Sequence, residues 1–299
     1  MDSAIEREPT EGFITLPDGK LHYMDWGGDR SPMHFLHANG FCAGTYSPFL
    51  KYLFADYHIL ASDVRGHGYS IFPQNKRIRD WEVFASDLKL IVDGVMSTPV
   101  IGMGHSLGAV TTYIAAAKHP HLFSCIILLD PVIHPSRILW RISLMRILGL
   151  HANRSLAKGA RRRIRAFKDK QSALKRFTTG HGIFKTWSKE FVEAYLECGL
   201  LVKDSETAIL RCDPELEARI FESVPVNIWK YARKISCPVL VIRGEESDTF
   251  VPEAAERLKT VNPRFEIVTV PQAGHFVPME RPEECAAAIS DFINKNHVR

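Results

Sequence analysis

The period of apolar positions changes several times along the chain, and each change predicts an element. "GFITLPDGKLHYMDWGG" alternates apolar and polar residues on either side of Pro17-Asp18-Gly19, the pattern of a β-hairpin. "MHFLHANGF" and "YHILASDVRGHG" are short apolar runs that end in glycine turns, as buried parallel strands do. In "WEVFASDLKLIVDGV" the period becomes helical, with Phe84, Leu88 and Ile91 on one side. "PVIGMG" then predicts a strand, "LGAVTTYIAAAKHP" a helix stopped by Pro120, and "FSCIILLD" another strand. Such alternation predicts an α/β fold: a mostly parallel central sheet with helices on both faces.

The alternation stops after Asp130. From about Ile133 to Tyr231 the pattern is helical throughout and more basic, with no clear strand. Ser188 can cap "KEFVEAYLECG", which Gly199 ends, and Asp213-Pro214 can start "PELEARIFESV". Strands resume with "CPVLVIRG" and "FEIVTV", each followed by a helical pattern, "PEAAERLKTV" and "PEECAAAISDFINK". The expected organisation is a core of residues 1–132 and 233–299, with a helical cap over 133–232 inserted above the carboxyl edge of the sheet. That edge is where open α/β sheets bind ligands.

Composition narrows the function without naming it. With 299 residues, 45% hydrophobic, and a net charge of +4, the chain has a sizeable core and no warrant for a nucleic-acid partner. The start, "MDSAIEREPT", is acidic and unlike a secretory signal, and no apolar run reaches the ~18 residues of a membrane span. Cys42, Cys125, Cys198, Cys212, Cys237 and Cys285 are scattered, without framework spacing. They read as reduced thiols in a cytoplasmic protein, with Cys42 a small core residue. The histidines, His119 and His121 included, lack metal-ligand spacing, so neither metal nor cofactor is expected.

"RILWRISLMRILGL" followed by "ARRRIRAFKDK" is a basic, amphipathic stretch within the cap. It can meet a membrane surface or an anionic substrate. The preferred expectation is a lid helix whose apolar side roofs the pocket while its arginines stay in water.

The candidate chemistry lies in "GMGHSLGAV", residues 102–110. A dinucleotide fingerprint fails there: Leu107 holds the place of its third glycine, and no acidic residue follows at the needed distance. A nucleophile elbow, G-x-S-x-G between a strand and a helix, fits Gly104-His105-Ser106-Leu107-Gly108. A serine hydroxyl needs a base, and the base needs an acid to hold its tautomer. In the order Ser, acid, His, the loops after the last two strands supply Asp248 and His275.

The stretches "LHANGF" (36–41), "DVRGHGYS" (63–70), "GHSLG" (104–108), "GEESDTFVP" (244–252) and "GHFVPMERPEE" (274–284) together resemble the α/β-hydrolase superfamily. The likeness is to its capped branch of esterases, lactonases, C–C hydrolases, epoxide hydrolases and cofactor-free haloperoxidases. It runs from about Gly12 to Asn296 and is weak only in the cap. It implies the α/β-hydrolase fold, with Ser106 as nucleophile, Asp248 as acid and His275 as base. Some relatives place the acid after the preceding strand, which makes Asp130 the alternative. The oxyanion hole would use the backbone N–H groups of Asn39 and Leu107. The turn here is His37-Ala38-Asn39-Gly40 rather than the usual His-Gly-x-Gly or His-Gly-x-Pro, so Ala38 or Phe41 are fallbacks. Serine at 106 argues against the epoxide hydrolase and dehalogenase chemistries, which use Asp there. Asp63, Arg65 and the glycines around them shape a turn. The expected partner is a small acyl substrate, a carboxylic ester by default. Thioesters, lactones, C–C bonds and a non-catalytic ligand-binding role stay open.

Overall fold

Pro17-Asp18 turns the chain back on itself, so that β1 (Thr10–Leu16) pairs antiparallel with β2 (Gly19–Asp25). The next strands are β3 (Pro32–Leu36), β4 (His58–Ser62), β5 (Val100–His105) and β6 (Phe123–Leu129). They are followed by β7 (Ala166–Phe167), β8 (Leu200–Asp204), β9 (Thr207–Leu210), β10 (Val239–Gly244) and β11 (Phe265–Val270). This computed structural model describes residues 7–73, 78–150, 155–179, 182–204 and 207–298. The acidic residues 1–6 on which the reading of the N-terminus rests lie outside them.

The main sheet has eight strands in the order β1-β2-β4-β3-β5-β6-β10-β11. β2 meets β4 antiparallel, and every pairing from β4 to β11 is parallel. The central strands explain their apolar runs: β5 and β10 are buried at every position, because helices cover both faces. The Glu82–Val95 helix buries Phe84, Leu88 and Ile91, the three positions its period marks out. Leu107–Lys118 lies deeper still, with every residue up to Ala117 buried, which suits its alanines. The sheet is that of the α/β-hydrolase fold.

The segment between β6 and β10 is not purely helical, contrary to the sequence pattern. Besides helices it holds a separate three-stranded sheet, β7-β9-β8, antiparallel throughout. These strands escaped the pattern because they are short: β7 has two residues, β9 has four. Asp213 caps the Pro214–Glu222 helix by accepting from the Glu215 N–H, as its position before the proline requires. Ser188 precedes the Lys189–Gly199 helix in an extended conformation but makes no side-chain cap bond.

Candidate active site

β5 ends at His105 and a helix begins at Leu107, so Ser106 alone makes the turn, at φ 54° and ψ −109°. A non-glycine residue held there stores roughly 1–3 kcal/mol of strain, which the packing around it must impose. A Cβ on Gly104 would lie 2.4 Å from the Gly108 carbonyl carbon, and one on Gly108 would lie 2.0 Å from the Leu36 carbonyl oxygen. Strand and helix therefore approach so closely that only glycine fits on either side of Ser106. Gly102 has a packing reason of its own, since its Cβ would meet the Phe123 ring at 2.6 Å. The Ser106 N–H is held by the Leu129 carbonyl, 3.0 Å away at the end of β6.

Ser106 Oγ lies 2.9 Å from His275 Nε2, and His275 Nδ1 lies 2.7 Å from Asp130 Oδ2. His275 sits in the loop after β11, and Asp130 is the first residue beyond β6. Asp130 is fully buried, and its φ of 39° turns the chain sharply out of the strand. Three donors converge on its carboxylate: His275, the Ser247 hydroxyl at 2.5 Å and the Gly244 N–H at 3.3 Å. Burial raises this carboxyl above its ordinary value, while His275, Ser247 and Gly244 pull it down. A carboxylate with no proton to offer fixes His275 with Nδ1–H toward Asp130, leaving Nε2 to accept from Ser106. A hydroxyl so paired can pass its proton to the imidazole.

Asp248, the acid favoured by the sequence, is not at this site. It is exposed, and among the described residues its side chain accepts only from the adjacent Thr249 hydroxyl, at 3.4 Å. The geometry of the loop explains the difference: Ser247 and Phe250 are buried, while Asp248 between them is exposed. The loop after β10 therefore contributes Ser247, a donor to the carboxylate, and the alternative Asp130 holds the place beside His275.

The turn His37-Ala38-Asn39-Gly40 sits beside the elbow. Its fallback N–H groups have other acceptors: Ala38 donates to Tyr46 Oη at 3.1 Å, and Phe41 to the Ala38 carbonyl at 3.3 Å. Asn39 is buried, and its amide donates to the Glu217 carbonyl at 3.0 Å, across to the inserted segment. Tyr46 also reaches His105 Nδ1 at 2.7 Å, and His105 Nε2 lies 2.8 Å from the His275 carbonyl. Burial, with His275 nearby, lowers His105 well below the ordinary histidine value, so its ring is neutral. It then donates from Nε2 and accepts the Tyr46 hydroxyl at Nδ1. Sequence reading missed both residues; a histidine inside the elbow motif was the available signal.

Aromatic rings close over this arrangement. Phe41 packs against Trp187 at 5.3 Å and Tyr195 at 5.5 Å, and Trp187 packs against Phe276, the neighbour of His275, at 5.5 Å. The inserted segment thus meets the site through residues 184–195 as well as through Glu217. "RILWRISLMRILGL" is not that roof: on the Ser136–Ile147 helix only Leu139 and Ile142 are buried, and Trp140, Leu144 and Ile147 are exposed. Nor are all the arginines in water. Arg161 pairs with Glu215 at 2.8 Å, Arg163 with Glu217 at 2.6 Å and Arg165 with Asp213 at 2.7 Å. Alternate arginines of the basic run thus face alternate carboxylates at the start of the Pro214–Glu222 helix.

Asp63 is equally buried but serves the fold. It accepts from the backbone N–H of Ala43 at 2.7 Å and of Tyr69 at 2.9 Å, and it meets His22 Nδ1 at 2.7 Å. Burial alone would raise its carboxyl, yet these donors and the nearby His37 hold it below the ordinary value. Arg65 is forked between Asp87 and Asp18. Among the described residues no group of three metal-ligating side chains occurs, no helix is long and apolar enough to cross a membrane, and the cysteines are free.

Comparison with known proteins places the chain. It is 24% identical over 295 residues to the 2-(acetamidomethylene)succinate hydrolase of Mesorhizobium japonicum, covering 98% of this chain and 96% of that protein. It is 25% identical over 309 residues to epoxide hydrolase 3 of Xenopus tropicalis, covering 96% of this chain and 78% of that protein. The crystal structure of E-2-(acetamidomethylene)succinate hydrolase superposes with a TM-score of 0.75 at 23% identity, covering 96% of this chain and 99% of the other. The chain matches the alpha/beta hydrolase family over residues 35–288, a span that takes in the elbow, Asp130 and His275 together, and it belongs to that family.

Proposed function

We propose that this chain is a serine hydrolase that cleaves a carboxylic ester through an acyl-enzyme. The observation that carries the reading is the continuous hydrogen-bond line from Ser106 through His275 to Asp130. In this reading His275 takes the Ser106 proton as Oγ attacks the acyl carbonyl, and Asp130 stabilises the imidazolium that forms. The backbone N–H groups of Asn39 and Leu107 receive the oxyanion, a role supported by the other uses of the Ala38 and Phe41 N–H groups. His275 returns the proton to the leaving alcohol, then activates the water that releases the acid.

Residues 133–232 act as a cap in this reading, with Phe41, Trp187, Tyr195 and Phe276 lining the side nearest His275. Such walls support an apolar group on the substrate. The Trp187 indole N–H is buried without an acceptor among the described residues, which supports a polar atom of the substrate beside it.

Labelling with a fluorophosphonate probe tests the nucleophile. Wild-type protein should label and Ser106→Ala should not, while melting at a similar temperature. A folded wild-type protein that never labels would mean a ligand-binding protein on the same fold. A screen of esters, thioesters and lactones of graded acyl length then ranks the acyl bonds.

A further inference from the structure

The Ser136–Ile147 helix is apolar on two opposite faces. Leu139 and Ile142 are buried, whereas Trp140, Leu144 and Ile147, at i, i+4 and i+7, form a stripe on the other side. Trp140 is 66% exposed, Ile147 81% and Leu148 59%. An exposed apolar stripe of this kind, on a helix whose other side is packed, marks an interaction surface.

Charge decides what covers it. From Ser136 to Lys168 the sequence contains no Asp or Glu. Arg137, Arg161, Arg163 and Arg165 are paired with carboxylates from other segments, and Arg146 is bonded to the Glu222 and Val224 carbonyls. Arg141, Lys158 and Arg162 are exposed. They make no ion pair with the described residues. A second copy docking on the same face would bring Arg141, the neighbour of Trp140, against its own counterpart. An anionic lipid surface has no such conflict: Trp sits at the headgroup level, Leu and Ile enter the acyl boundary, and the cations meet phosphate.

We propose that the Trp140–Leu144–Ile147 face, with Arg141 beside it on the same helix and Lys158 and Arg162 exposed in the same acid-free stretch, docks on an anionic membrane surface. The proposal is independent of the hydrolase reading.

Sedimentation of the full chain with lipid vesicles tests it. The protein should bind vesicles containing phosphatidylglycerol and not pure phosphatidylcholine, with binding weakened by salt. Trp140→Ser/Ile147→Ser should lower the affinity about tenfold or more, because the inserted apolar area is lost. Arg141→Glu/Lys158→Glu/Arg162→Glu should abolish the preference for anionic lipid. All five side chains are exposed, so both variants should melt like the wild type. No binding to either vesicle, or binding that ignores both variants, overturns the proposal. A dimer that Trp140→Ser/Ile147→Ser dissociates, without vesicle binding by the wild type, would assign the face to a second copy instead.

Discussion

Tyr46 Oη lies 2.7 Å from His105 Nδ1, and the pair joins the Ala38 N–H to the carbonyl of His275 through three hydrogen bonds in series. The turn expected to hold the oxyanion and the loop that carries His275 are thereby set against each other. Tyr46→Phe breaks the series in the middle and leaves two buried partners unpaired. Stability should fall by about 1–3 kcal/mol. Turnover of an ester should drop with KM little changed, since the loss is one of positioning. An equal loss in kcat/KM carried entirely by KM would rule that out.

Asp130→Asn should reduce kcat by roughly 10³–10⁴, the cost of favouring the wrong imidazole tautomer. Asp248→Asn should leave kcat within about twofold, as an exposed carboxylate bonded to its neighbour Thr249 has no route to His275. Steady-state kinetics of the two variants on one ester decides between the acids.

The same substitution has a thermal signature. Burial raises the Asp130 carboxyl above its ordinary 3.8, so the folded protein holds this proton more tightly than the unfolded chain. The group's favourable contribution is then complete below 3.8 and is lost as pH rises through the higher folded value. Relative to wild type, the Tm of Asp130→Asn should therefore improve as pH rises from about 4 to 7. Calorimetric scans showing the opposite drift would mean that the donors around Asp130 outweigh its burial.

Gly108→Ala places a methyl 2.0 Å from the Leu36 carbonyl oxygen, in rigid backbone on both sides. It should cost at least ~2 kcal/mol and distort the elbow. Gly159→Ala is the control: its Cβ meets nothing within 4 Å, on the Ser155–Arg161 helix. There the stability should rise by about 0.5–1 kcal/mol. Urea titrations that rank the two variants in the reverse order would contradict the close approach of strand and helix.

Much of the core was legible because its signals are local. The glycine spacing around Ser106, the Pro17-Asp18-Gly19 turn and the period of Phe84, Leu88 and Ile91 are each short-range patterns. The contacts that demand them can still be distant, as that of Gly108 with the Leu36 carbonyl is. The acid was harder, because the choice between Asp130 and Asp248 depends on which way one loop residue faces. Ser247 turns inward and leaves Asp248 exposed, and no periodicity governs a loop. The Ser136–Ile147 helix misled for a different reason: apolar residues on both faces give no indication of which side meets the protein. The Arg161–Arg165 run needed its partners at 213–217, about fifty residues on, before its charge could be read.

The hydrogen bond from the Asn39 side chain to the Glu217 carbonyl ties the insertion to chemistry at the sheet edge. The insertion is therefore no interchangeable accessory. A graft taken from another family member would swap walls and specificity only if it also returned a carbonyl acceptor to that one spot. Otherwise the turn beneath it would lose one of its anchors, and a recombinant with a well-shaped cavity would still turn over poorly.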